Sequence, residues 1–313
     1  MIHTITLNPA IDKIISIGAF KPNSMNRIRG VRTCLGGKGS HIAYSLSLFG
    51  VQSQAYGIAF GDVGRQIIAA LESAGIRVVY DHYDTPESRV NYLLVDAQQN
   101  STFLAEAGVS LTEGMTDRLL RRMEEGIEGG DVLAIAGDAS NVKDGNIHQK
   151  LLALVKRRGL KLYLDSSGEF LRKGMAYRPY LIKPNLEELA ELAGRPVLRQ
   201  EEVVQALEAL PEIPHIMVSM GAQGWVFRGG GKLYRGYGLK VPVRNTAGCG
   251  DALLSALLYG FEYTGEALLD TLAFATAVSA ACAMSDLTVG FDVELAKRMQ
   301  GEVVIQEIIE GSV

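Results

Sequence analysis

The stretch DVLAIAGDASNVKDGNIHQKLLALVKRRGLKLYLD, residues 131–165, decides how this chain folds. Its ends, DVLAIAG (131–137) and LKLYLD (160–165), are apolar without alternation, as in strands buried on both faces. The segment between them, near 144–158, reads as a helix. Strand, helix and strand in that order argue for a parallel sheet with helical crossovers.

The same alternation extends outward. Residues 2–7, IHTITL, read as a strand, and HIAYSLSLFG (41–50) as a helix. In that helix Ile42, Leu46 and Phe49 share a face and Gly50 is the stop. QSQAYGIA (52–59) predicts a strand. GRQIIAALESAG (64–75) predicts a helix with Ile67, Ile68 and Leu71 on one side and Gly75 at its end. HIMVSMG (215–221) is a third doubly buried strand, and further helices are expected near 185–193, 200–210 and 251–262. Two segments break the pattern. Residues 12–33 and 88–106 hold short alternating strands without a helix, which predicts a small antiparallel flap on the main sheet. GWVFRGGGKLYR (224–235) predicts a hairpin turning at Gly229–Gly231. No repeat or linker divides the chain, so one α/β domain over 1–313 is expected.

Composition narrows the function. The 313 residues are 47% hydrophobic and 21% charged, a globular balance that excludes disorder. Lys plus Arg is 31 and Asp plus Glu is 35, for a net charge of −4. Nothing in that balance favours nucleic acid or an anionic membrane as partner. Cys34, Cys249 and Cys282 are too few and too scattered for a disulfide framework. The apolar run TLAFATAVSAACAM (271–284) is shorter than the ~20 residues a bilayer needs and predicts a buried helix. MIHTITLNPAIDKII lacks the pattern of a signal peptide, and the expectation is a cytoplasmic protein. Glycine stands out, at 35 residues against a usual ~7% of a chain.

Several signatures are absent: GxxxxGK[ST], HExxH, GxSxG and GxGxxG, the last because Leu253 stands where its third glycine belongs. What remains is VPVRNTAGCGDALLSALL (241–258), read as strand, glycine turn and helix with Leu253, Leu254, Leu257 and Leu258 inward. The turn sets the N–H groups of Gly248, Cys249 and Gly250 at a helix N-terminus, which attracts anions. Asp251 beside them is either a helix cap or a base next to an anion hole. CLGGKGSH (34–41) is a glycine-rich loop with one cation, Lys38. In IKPNLEELAE (182–191), Asn185 and Glu188 fit a capping box or a pair of oxygen ligands for Mg²⁺. VSMGAQG (218–224) ends a strand in a glycine turn, where open α/β sheets bind ligands.

TLNPAID (6–12), GGKG (36–39), IKPNLEEL (182–189), VSMGAQG (218–224) and NTAGCGDALLSAL (245–257), taken in that order, resemble the phosphofructokinase-B, or ribokinase-like, family of carbohydrate kinases. The likeness spans essentially the whole chain. It is strongest to the branch of 1-phosphofructokinases and tagatose-6-phosphate kinases, through TLNPAID, Asn26-Arg27 and LDSSGEFL (164–171). The resemblance implies a three-layer α/β sandwich, a mainly parallel central sheet, and a small β-sheet lid from 12–33 and 88–106. Lids of this branch often pair, so a homodimer is expected.

The resemblance also implies roles. Asp251 matches the catalytic base and Gly248, Cys249 and Gly250 the anion hole for the transferred phosphoryl group. Asp12 and Gly37 match the sugar site, with Arg27, Lys38 and Arg89 around the phosphate already on the sugar. Lys183, Asn185 and Glu188 match residues near the ATP phosphates and Mg²⁺, and Ser219, Gly221 and Gly224 the nucleotide loop. The implied reaction is ATP- and Mg²⁺-dependent phosphorylation of a ketohexose phosphate, with fructose 1-phosphate favoured and tagatose 6-phosphate the alternative. A non-catalytic sugar-phosphate sensor would require the base or the hole to be lost.

Departures from the family pattern are local. His41 stands where asparagine is commonest, so that sugar contact is expected to differ. Cys249 replaces an alanine but keeps its N–H. Asp138, Phe103 and Ala105 replace residues that are usually polar or serine, which bears on the finer ATP and metal contacts.

Overall fold

A computed structural model describes residues 1–98, 100–137, 141–142 and 146–309. The chain begins with β1 (Ile2–Thr6), β2 (Ala10–Ile17), β3 (Ile28–Gly36) and α1 (Lys38–Leu48). Then come β4 (Ser53–Phe60), α2 (Gly61–Ser73), β5 (Arg77–Tyr83), β6 (Arg89–Val95), β7 (Ser101–Leu104) and α3 (Glu113–Gly126). β8 (Val132–Ala136), α4 (Ile147–Arg158), β9 (Lys161–Asp165), α5 (Gly168–Met175), β10 (Leu181–Ile182), α6 (Leu186–Ala193) and α7 (Gln200–Ala209) continue the alternation. The last part holds β11 (His215–Ser219), β12 (Trp225–Gly229), β13 (Lys232–Gly236), α8 (Cys249–Tyr259), α9 (Leu268–Ala283), α10 (Val293–Gln300) and β14 (Ile305–Ile308).

Ten strands form one sheet in the order β14-β13-β12-β11-β10-β9-β8-β1-β4-β5. From β11 to β5 every pairing is parallel, while β12, β13 and β14 extend one edge antiparallel. The doubly buried strands explain why. Leu133 and Ile135 of β8 pack with α3 to α7 on one face, whereas Val132, Ala134 and Ala136 face α8 and α9 on the other. β9 divides likewise, with Leu162 and Leu164 to one face and Tyr163 to the other. A strand with two buried faces has no polar side to alternate with, so the apolar run is continuous. The result is the expected three-layer sandwich.

A second sheet has the order β3-β2-β6-β7. Its central pair, β2 with β6, runs parallel, so it is mixed and not the purely antiparallel flap read from sequence. Ile28 and Val31 of β3 and Phe103 and Leu104 of β7 are exposed.

Two expectations for the late chain meet different outcomes. The hairpin forms as β12 and β13 around Gly230 and Gly231. The strand expected at the start of 241–258 does not form. Pro242 has no N–H to give a ladder, and β14 takes the free edge of β13, pairing Gly236 with Ile305. Residues 241–248 therefore reach the head of α8 as an irregular loop. The apolar run at 271–284 lies in α9, buried against α8. No helix among the described residues is long and apolar enough to cross a membrane. Asp138 lies outside the described residues.

Candidate active site

The head of α8 organises the site. Gly248 has φ +78°, and a Cβ built there would lie 1.8 Å from the carbonyl oxygen of Thr288, so only glycine fits. The helix that follows starts with N–H groups that have no intrahelical acceptor. That of Cys249 makes only a 3.4 Å bond to Thr246. Asp251, in the first turn, is buried rather than a solvent-facing cap. Its Oδ2 lies 2.7 Å from Nδ1 of His41 on α1.

His41 in turn stands 3.8 Å from Oδ2 of Asp12 through Nε2, which also bonds the Leu35 carbonyl at 3.0 Å. Asp12, on β2, is held from both sides: Asn91 Nδ2 donates to Oδ1 and Thr288 Oγ1 donates to Oδ2, each at 2.8 Å. The smaller sheet thus supplies Asp12 and Asn91, and the main body supplies His41, Thr288 and Asp251.

A cavity of about 290 Å³ opens beside this network, lined by Gly37, Lys38, Arg89, Asn8, Ser166 and their neighbours. Lys38 reaches across it to Asp165 at 3.5 Å, and Lys183 holds the other oxygen of Asp165 at 3.1 Å. Burial opposes the charge on Asp165, but Lys183 and Lys38 overcome it and hold the carboxyl below its usual range. Asp165, followed by Asp251 and Glu188, keeps Lys38 protonated well past its ordinary range against its burial. Arg89 Nε donates to the carbonyl of Asn8 at 3.1 Å, which aims the guanidinium along the cavity wall. Arg27 stands apart, exposed before β3 and outside the lining of this cavity.

A second cavity, of about 300 Å³, lies on the other side of the α8 turn. Ser219, Gly221, Gly224, Cys249 and Gly250 line it with apolar residues such as Leu239, Val243 and Leu253. Gly224 has φ +96°, and a Cβ there would meet the Gly236 carbonyl at 2.2 Å, so this turn also demands glycine. Lys183 connects the cavities: its Nζ lies 3.3 Å from where a Cβ of Gly250 would be.

Asn185 and Glu188 form a complete capping box at α6, with reciprocal bonds of 2.8 and 2.9 Å. Burial, and then the charge of Asp165, push the Glu188 carboxyl up despite the bond from Asn185. Among the described residues no three His, Cys, Asp or Glu side chains converge into a metal cage. The partly buried Glu188 carboxylate, beside the Asn185 amide, fits a hydrated Mg²⁺, which keeps several waters and binds through few protein oxygens.

Asp165, Asn91 and Thr288 were not singled out by the sequence. Asp165 had a signal, an acid ending an apolar strand at the carboxyl edge of the sheet. Asn91 and Thr288 had none, because each matters only through Asp12.

The model for the pfkB family of carbohydrate kinases matches residues 5–290. This chain belongs to that family, and is a sugar phosphotransferase. It is 28% identical over 319 residues to a 1-phosphofructokinase of Borreliella burgdorferi, covering 98% of this chain and 99% of that one. It is also 28% identical over 310 residues to a D-tagatose-1-phosphate kinase of Klebsiella oxytoca, covering 98% of each. The structure of phosphofructokinase-2 from Escherichia coli in complex with substrates and products superposes with a TM-score of 0.88, over 96% of this chain and 98% of that one. At 22% identity that likeness speaks for the fold.

Proposed function

We propose that this kinase transfers the γ-phosphoryl group of ATP to the C6 hydroxyl of a ketohexose 1-phosphate, with fructose 1-phosphate as the preferred acceptor. The observation that carries the reading is the chain Lys38–Asp165–Lys183, which links a cationic cavity to the glycine turn where Asp251 sits. A sugar phosphate suits the side with Lys38 and Arg89, and a nucleotide suits the apolar, glycine-lined side.

The relatives shift the alternative acceptor. The tagatose kinase among them acts, by its name, on the 1-phosphate and not the 6-phosphate. Tagatose and fructose differ only at C4, so both 1-phosphates would bind alike at the phosphate and offer the same C6 hydroxyl. Tagatose 6-phosphate, which offers the C1 hydroxyl, is the competing arm.

In the proposed step, Asp251 takes the proton of the acceptor hydroxyl. The hydroxyl oxygen bonds to the γ-phosphorus as the bond to the β,γ-bridging oxygen breaks, and ADP leaves with that electron pair. The N–H groups of Gly248, Cys249 and Gly250, with Lys183 beside them, receive the developing charge. Asp12 holds the sugar hydroxyls, and Ser219, Gly221 and Gly224 hold the nucleotide. Asn185 and Glu188 would lie by Mg²⁺ on the ATP phosphates, where the ion neutralises phosphate charge when bound. The exposed apolar rows of β3 and β7 support a homodimer closed through the smaller sheet, with Arg27 on that same sheet's approach. Retention of both the acid and the glycine turn argues against a non-catalytic sensor.

The test is ADP release with fructose 1-phosphate, tagatose 1-phosphate, tagatose 6-phosphate and fructose 6-phosphate at equal concentration. The 1-phosphates should be turned over fastest. Preference for either 6-phosphate would overturn the acceptor assignment, and no turnover with any of them would return the sensor reading.

A further inference from the structure

His41 is buried at the first turn of α1, and both partners of its ring are acceptors. Nε2 lies 3.0 Å from the Leu35 carbonyl, which can only accept, so Nε2 carries a hydrogen. Nδ1 lies 2.7 Å from Asp251 Oδ2, and that contact needs a proton between two lone pairs. Asp12 approaches the same ring from β2, at 3.8 Å.

The surroundings decide where that proton resides. Asp12 faces the ring from β2 and Asp251 from α8. Two thiols near this network are pushed up: Cys34 on β3 by burial, with its Sγ 3.0 Å from Thr288 Oγ1, and Cys282 on α9 by Cys249 and by burial, close enough to feel Asp251. The nearby lysines, Lys38 at the start of α1 and Lys183 after β10, are drawn to Asp165. Among the described residues, the ion pairs of Asp12 and Asp251 are with His41. Two buried carboxylates with one imidazole between them are stable when the imidazole is charged.

We propose that His41 is a positioning residue for the base: as an imidazolium between Asp12 and Asp251 it clamps Asp251 by Oδ2, leaving Oδ1 to the acceptor hydroxyl. The inference rests on the reading of Asp251 as the base. Burial disfavours the charge on His41, but the bond to Asp251 and the charges of Asp251 and Asp12 outweigh it and raise its pKa above the ordinary 6.5. The imidazolium is therefore held to higher pH than in a free histidine and is lost as pH climbs past the raised value.

Two measurements test it. In the wild-type enzyme, ¹⁵N shifts of the His41 ring should report both nitrogens protonated at pH values where free histidine is neutral; a neutral ring there overturns the proposal. In His41→Asn and His41→Gln, which can still donate one hydrogen bond to Asp251, the acidic limb of the kcat profile should move to higher pH by about one unit. The loss below that limb is then roughly tenfold, recovering at alkaline pH. An equal loss at every pH would mark a merely structural role and sink the idea. If the variants fail to fold, the ring measurement decides alone. Near-normal turnover of Asp251→Asn would instead defeat the base assignment, whatever the ring shows.

Discussion

The two cavities are nearly equal in size, about 290 and 300 Å³, yet they are built on opposite principles. The acceptor side is lined by cations on long side chains, Lys38 and Arg89, anchored by Asp165 and by backbone carbonyls. The nucleotide side, among its described lining residues, has no charged side chain at all and relies on glycine turns, N–H groups and apolar walls. Charge held on side chains can be rewritten one residue at a time and, on the proposed reading, would set which phosphate ester is accepted. Backbone N–H groups recognise phosphate by shape, and they change only when a turn is broken.

The largest effect should come where the two sides meet. Asp251→Asn keeps the shape of the head of α8 but removes the proton acceptor, and kcat should fall by about 10²–10⁴-fold with the fold intact. Circular dichroism and steady-state kinetics on the same preparation check both halves. Turnover near wild type would show that Asp251 is not the base.

The next effect tests the glycine turn at the head of α8. Gly248→Ala forces a Cβ onto the Thr288 carbonyl at a backbone angle that L-residues resist. Loss of aligned N–H donors should lower kcat by roughly 10²–10³-fold, and the strain should cost about 1–3 kcal/mol of stability. Because Thr288 also bonds Asp12, the KM for the sugar should worsen too. Cys249→Ala is the control, since it keeps the N–H, and should leave activity close to wild type.

Which of these features the sequence reveals follows from the same contrast. The sheet is legible at β8, β9 and β11 because a strand buried on both faces writes an unbroken apolar run. The glycine turn is legible because Gly248 has no substitute. Short pieces such as β10 and β14 carry too few residues to show a period, and β14 finds its place only by pairing with β13. At the site, Lys38 stands out as the one cation of a glycine-rich loop and Arg89 through the family resemblance alone, whereas Asp165 reads as the end of a strand until two lysines converge on it. His41 reads as one departure in a glycine-rich loop. Its partner lies 210 residues away, and no local pattern links them. Arg27 shows the converse, a cation that the family resemblance groups with the others and that the fold of one chain leaves exposed.

The acceptor side is tested by Arg89→Ala. A charge-assisted contact to a phosphate ester contributes about 1.5–3 kcal/mol, so KM for the sugar phosphate should rise roughly tenfold to a hundredfold. Turnover of an unphosphorylated ketose, where measurable, should be unchanged. Equal losses on both would mean that Arg89 acts through its bonds to the carbonyls of Asn8 and Glu106, as a brace rather than a phosphate clamp.

The smallest effect separates two jobs that Glu188 performs at once. Its Oε2 accepts the N–H of Asn185 and completes the cap of α6, which by itself explains why the residue is there. Its carboxyl is also pushed up by burial and by the nearby Asp165, so a cation bound beside it would relieve the cost of its charge. Glu188→Gln keeps an oxygen for the cap and discards the charge. A pure capping residue should tolerate it, since Glu and Gln serve equally at this position of the box. If the charge helps to hold Mg²⁺ on the ATP phosphates, the melting temperature of the ligand-free protein should stay put. The Mg²⁺ concentration for half-maximal rate should then rise several-fold, an effect of about 1 kcal/mol for one removed ligand charge. A drop in melting temperature without a change in Mg²⁺ dependence would leave Glu188 to the cap alone, and the nucleotide side would then hold its phosphates through N–H groups and Lys183.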